Sequence, residues 1–121
     1  MDIEFWEKDE VPVFENHFHE DIHIKRSKDI NYLKSQNSQN QYFDWIVKNY
    51  NIHGRVLDLA GGSGYLTSKL SKLKEVKEVY LLEYGENCLK YLVPEVLNHT
   101  KANKEKIKLI NGSFNNIRLE N

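Results

Sequence analysis

Cysteine is all but absent from this chain: Cys88 stands alone in 121 residues. That excludes an intrachain disulfide framework and fits a reducing compartment. Excess charge is missing as well, with a formal net charge of −1, and residues 1–10 lean acidic. A general electrostatic grip on nucleic acid or on anionic lipid is therefore not expected. No apolar stretch approaches the length that spans a bilayer, and no signal-peptide pattern follows Met1, so a cytoplasmic chain without membrane contact is expected. There is no G-K-[ST] phosphate loop, no H-E-x-x-H helix and no pair of cysteines. The length suits one domain with a modest core.

The informative stretch is Gly54 to Leu66, GRVLDLAGGSGYL. An apolar run ends in a carboxylate and opens at once into a glycine-rich turn and a helix-like segment. That order describes a buried strand, a tight turn and a helix start. Gly61, Gly62 and Gly64 permit positive φ and let a ligand approach without meeting a Cβ. Asp58 discriminates, because a carboxylate near the carboxyl end of a parallel strand is costly unless something polar meets it. Ligands of open α/β sheets bind at that end. A dinucleotide fingerprint, G-x-G-x-x-G, would need a third glycine where Thr67 stands, and Asp58 would repel a pyrophosphate.

After Gly54 the chain reads strand, helix, strand, helix, strand. Arg55 to Leu59 is the first strand, and Leu66, Leu70 and Leu73 line one face of the next helix. Glu78 to Glu83, EVYLLE, is nearly continuous in apolar residues, as a strand covered on both faces should be. Asn87 to Lys101 predicts a helix that Pro94 either kinks or restarts, and Cys88 reads as a small residue within it. Lys106 to Ile110 is a third strand, stopped by Asn111-Gly112. Such alternation predicts an α/β fold with a parallel sheet. Before it, residues 1–50 form an N-terminal block expected to be helical, and residues 51–121 the α/β part. Within the first block Tyr42, Phe43, Ile46, Val47 and Tyr50 fall at helical spacing and are expected to pack against the sheet.

The run VLDLAGGSG resembles motif I of the class I S-adenosylmethionine (SAM) dependent methyltransferases, with Ala60 where the family more often has its first glycine. The resemblance implies a Rossmann-like methyltransferase sheet with SAM as cofactor and strands in the spatial order three, two, one. It implies that Asp58 and the loop Ala60, Gly61, Gly62, Ser63 and Gly64 hold the methionine end of SAM. Glu83, one strand-helix-strand unit after Asp58, matches the acid that binds the ribose hydroxyls, and Tyr84 would pack beside the adenine. Ser113 and Phe114 match the third strand-end motif, with serine where an acid commonly meets the adenine amino group.

The family usually continues into a fourth strand and an acceptor pocket, so the chain reads as an incomplete, N-terminal portion of such an enzyme. No catalytic base can be named, and the default acceptor is a small molecule. The alternative reading is an interaction module or fragment that pairs with itself or with a C-terminal half through the open sheet edge. His17, His19 and His23, with Glu20 and Asp21, form a cluster that reads as solvated or locally paired histidines, so no metal is expected.

Overall fold

The computed structural model describes residues 1–8, 21–36, 40–113 and 115–119. A four-stranded parallel sheet runs in the order β1-β4-β3-β2. Its strands are β1 (Ile3–Phe5), β2 (Gly54–Leu59), β3 (Val76–Glu83) and β4 (Ile107–Asn111). The order β4, β3, β2 is the expected three, two, one. The additional strand is β1, which joins the outer side of β4 with Ile3 opposite Leu109 and Phe5 opposite Asn111. The N-terminal block is therefore not helical throughout. A three-residue strand with one half-buried side chain offers no alternation for a sequence reading to find.

The helices are α1 (Ile30–Ser35), α2 (Asn40–Asn49), α3 (Tyr65–Ser71) and α4 (Val93–His99), with a further helical stretch over residues 21–27. Asp29 caps α1 by accepting from the N–H groups of Asn31 and Tyr32. A π-helical turn, Cys88–Leu92, runs directly into α4, and the Val93 N–H reaches back to the Cys88 carbonyl. This widened turn explains how one continuous helix carries Pro94. A proline cannot donate to the carbonyl four residues back and collides with it, and an i to i−5 turn just ahead relaxes that crowding.

Side chains alternate across the pleat, so the register places Val56, Val79 and Ile107 in one row and Asp58, Leu81, Leu109 and Ile3 in the next, all on one face. Leu89, Leu92, Val93, Val96 and Leu97 cover Leu81, Ile107 and Leu109 there. Toward β2 a smaller cluster joins Leu70, Val76 and Val79 to Phe43, Ile52, Val56, Leu66 and Leu73. β3 is central, with both edges paired; Val79, Leu81 and Leu82 are buried, whereas Glu78 and Tyr80 are half-buried and hydrogen-bonded to each other.

On the opposite face Leu82 and Ile110 are buried, whereas Leu59 is half exposed. Leu119 borders a groove of about 420 Å³ with Arg55, Val56, Leu57 and Tyr80, alongside β2. Among the described residues β2 pairs only with β3, so its outer edge is open. The aromatic face of α2 differs from expectation. Phe43 packs into the core, but Tyr42, Trp45, Val47 and Tyr50 are exposed, with Trp45 and Tyr50 meeting edge to face.

The attachment of β1 depends on Gly112. A Cβ there would lie 3.1 Å from the Trp6 Cβ and 3.3 Å from the Leu82 Cδ1. Gly112→Ala should overpack this contact at a cost of about 1–3 kcal/mol. In a Trp45→Phe background, Trp6 fluorescence should report loosening of β1 before the global unfolding transition. Coincident transitions would show that β1 is not held through this contact.

Candidate functional site

All candidate residues that fall within the described part of the chain sit at the carboxyl ends of β2, β3 and β4, where the three strands finish side by side. Leaving β2, Ala60 takes φ 52° and Gly62 φ 58°, and Gly64 starts α3 at φ 88°. Ala60 holds a left-handed conformation that its Cβ resists by about 1–2 kcal/mol. The position therefore suits the glycine that the family resemblance implies. Gly61 is required for a different reason. A Cβ there would come within 2.8 Å of the Leu81 Cγ and 3.0 Å of the Asp58 Oδ2. At Gly64 it would come within 3.1 Å of the Val93 Cγ1, so the π-helical turn and α4 press against the loop. At Gly62 nothing lies within 4 Å of the Cβ position, which leaves one face of the loop open.

Glu83 ties this loop to the end of β3. Its Oε1 accepts from the Gly62 N–H at 3.1 Å and its Oε2 from the Gly85 N–H at 2.8 Å. Each oxygen keeps a second lone pair, so the carboxylate retains acceptor capacity. Two residues 21 positions apart in sequence, expected to share a site, are thus joined directly. Cys88 is fully buried and its Sγ donates to the Gly62 carbonyl at 3.0 Å. Ser63 Oγ donates to the Gln36 Oε1 at 2.7 Å, which anchors the loop to the end of α1.

Asp58 is 9% exposed and accepts from the Thr67 hydroxyl at 2.7 Å. Burial pushes its carboxyl above the ordinary value, the Thr67 hydrogen bond pulls it down, and the negative charge of Glu83 pushes it up. Thr67 is the residue that replaces the third glycine of a dinucleotide loop, and here it serves the acid instead.

At the far side of the site, Tyr84 is half-buried beneath the Lys8 ammonium, 4.7 Å from the ring centre, and Lys8 Nζ also donates to the Tyr84 carbonyl at 3.2 Å. Ser113 is buried, and its hydroxyl accepts from the Asn115 N–H at 3.2 Å in a local turn. Phe114 lies outside the described residues, as do His17, His19 and Glu20. Among the described residues no three His, Cys, Asp or Glu side chains are grouped to hold a metal, and no helix is long and apolar enough to cross a membrane.

Sequence reasoning missed Gln36, Cys88, Asn111, Trp6 and Lys8 as parts of this region. All five act through contacts with distant backbone or side chains, which leave no periodic signal. Only Thr67 had a legible cue, its position one turn into the helix after the acid.

No protein-family model matches the chain, and no curated protein does. Among solved structures it is similar to a Methanococcus maripaludis protein provisionally described as an S-adenosyl-L-methionine-dependent methyltransferase. That likeness has a TM-score of 0.59 at 14% identity and covers 95% of this chain and 49% of that one. It is similar also to DhpI in its complex with SAM and HEP, with a TM-score of 0.53 at 20% identity, over 86% of this chain and 44% of that one. The fold is that of the class I SAM-dependent methyltransferases. This chain spans about half the length of either structure.

Two variants test the loop. Ala60→Gly removes the left-handed strain but frees the unfolded chain, so it should stabilise by about 0.5–1 kcal/mol in denaturant unfolding, and a loss would show that the Ala60 methyl is needed for packing. For Asp58 the sign is set by its raised pKa. The folded state favours the protonated acid, so the penalty enters as pH rises through the folded pKa. Asp58→Asn should therefore raise the melting temperature near neutral pH, with the gain vanishing below about 3.8, where the acid is protonated in both states. A pH-independent difference would assign the effect to packing.

Proposed function

We propose that this chain is the cofactor-binding half of an S-adenosylmethionine-dependent methyltransferase, acting on a small-molecule acceptor. One observation carries the reading: the acid at the end of β3 is hydrogen-bonded to the glycine loop at the end of β2. It supports reading Glu83 as the ribose-binding carboxylate, beside a loop with open space above Gly62.

In this reading Asp58 and the loop from Ala60 to Gly64 hold the methionine end, Glu83 accepts from the ribose hydroxyls, and Tyr84, Ser113 and Phe114 flank the adenine. The residues suit the group, since the two carboxylates at the loop favour a cationic ligand over a pyrophosphate. When bound, SAM supplies an activated sulfonium methyl, so the chain's own task is alignment and exclusion of water. Gly62 and Gly85 orient the Glu83 carboxylate, Thr67 orients that of Asp58, and Cys88 and Gln36 hold the loop. In this reading the SAM site belongs to residues 51–121, and residues 1–50 supply the edge strand β1 and Gln36, which anchors the loop. A cytoplasmic location suits a chain whose single thiol is buried.

The acceptor side would come from a C-terminal half that pairs with the open edge of β2, in the same polypeptide or in a partner. That open edge also favours a second reading, an interaction module that self-associates there without catalysis.

Calorimetric titration should give saturable SAM binding and none with NAD. Glu83→Ala should weaken SAM at least tenfold, about 1.4 kcal/mol. A folded variant with unchanged affinity would remove Glu83 from the site. Failure of the intact chain to bind SAM, together with a mass that grows with concentration in light scattering, would favour the interaction module.

A further inference from the structure

Asn111 ends β4 on the rung where Glu83 lies on one side and Phe5 on the other. It is 1% exposed, and its Nδ2 donates to two consecutive carbonyls, Glu83 at 3.1 Å and Tyr84 at 2.9 Å. The neighbouring Gly112 N–H also donates to the Glu83 carbonyl at 3.2 Å, and Lys8 Nζ to that of Tyr84. A buried side chain thus fixes the two peptide groups through which the chain leaves β3.

The direction of that exit decides where the Glu83 carboxylate goes. Its Oε2 accepts from the Gly85 N–H, which follows directly on the clamped Tyr84 carbonyl, and its Oε1 reaches the Gly62 N–H across the site. If the 83–85 backbone turned otherwise, both bonds would be lost together. Clamping two successive carbonyls from one nitrogen needs an NH₂ group with both hydrogens directed, which among side chains of this length only asparagine carries. Aspartate would set a carboxylate against two carbonyl oxygens, and serine could serve only one.

We infer that Asn111 is a positioning residue for the proposed cofactor site. It holds the exit of β3 so that Glu83 is aimed between the two glycine amides and toward the ligand, and so that Tyr84 is presented beside it. The inference rests on the reading of Glu83 as the ribose-binding acid, but the clamp itself can be measured without any ligand.

The test combines amide hydrogen exchange with SAM titration on the full chain and on Asn111→Ser, Asn111→Asp, Glu83→Gln and the double variant Asn111→Ser/Glu83→Gln. In the Asn111 variants without ligand, the Gly62 and Gly85 amides should exchange at least tenfold faster than in the parent. Leu81, in the middle of β3, should change only as far as global stability does. A residue that merely stabilises the fold would alter all three alike, and that result would overturn the inference. SAM affinity should fall about tenfold in Asn111→Ser, and this loss should disappear in the Glu83→Gln background, because the residue acts through that carboxylate. Strictly additive losses would also overturn it. If the parent chain does not bind SAM while the two glycine amides respond as expected, the methyltransferase reading fails and the positioning of Glu83 by Asn111 stands. Should neither Asn111 variant fold, the parent decides: slow exchange of the Asn111 side-chain amide protons supports the clamp, and free exchange refutes it.

Discussion

The glycine loop after β2 is tied to the end of β3 by the Glu83 carboxylate, the contact on which the geometry of the strand ends turns. β2 and β3 are parallel and in register, with Asp58 opposite Leu81 and Leu59 opposite Leu82, so the chain leaving β2 must turn beside its neighbour's end. It does so at close quarters, through left-handed residues at Ala60, Gly62 and Gly64 and with no room for a Cβ at Gly61. A turn this compressed exposes backbone N–H groups that need partners. Glu83 meets the Gly62 N–H from one side, and the Cys88 thiol meets the Gly62 carbonyl from the other. The two peptide groups that flank Gly62 are therefore each held by a side chain from a different element.

That arrangement has an electrostatic cost which itself points toward a ligand. Asp58 is buried in the loop, and the negative charge of Glu83 raises its carboxyl further. Burial of the Asp58 carboxyl near the Glu83 charge disfavours its ionised form, and the Thr67 hydrogen bond offsets part of this. Strain at Ala60 lies in the same few residues. In the proposed reading, the left-handed backbone and the two acids at this strand end are features that a bound ligand would stabilise. A cationic ligand relieves the charge, whereas an anionic one would add to it.

Legibility in the sequence followed the kind of interaction. Elements stabilised by burial were readable: EVYLLE as a central strand, the leucines of the helix after the loop, and the strand order that the resemblance implied. The loop and its acid were readable because an apolar run that ends in a carboxylate and opens at once into several glycines marks a strand end followed by a tight turn. Hidden from the sequence were features made by single contacts between distant segments. β1 is three residues held by Trp6 against Gly112, and Lys8 reaches Tyr84 across the whole chain. Pro94 was ambiguous because the relief it needs is a π-helical turn supplied by the residues before it. The α2 aromatics misled for a simpler reason: helical spacing identifies a face but not what covers it, and only Phe43 reaches the core.

The residues proposed for the cofactor site gather at the ends of neighbouring strands. The loop, Glu83 and the segment after Asn111 all come from three adjacent strands, β2, β3 and β4, so no residue of the proposed SAM site depends on a strand beyond β2. In the proposed reading the acceptor side is a separate half that lies beyond β2. The open edge of β2, flanked by half-exposed Leu59 and by the groove beside Leu57, Tyr80 and Leu119, is where such a half would attach. An exposed parallel edge with apolar flanks is unfavourable to leave in water, so the same edge that makes the acceptor unreadable also creates a drive for pairing. In the proposed reading cofactor binding and acceptor choice are separable, the first set by the ends of three strands and the second by whatever covers the edge of β2.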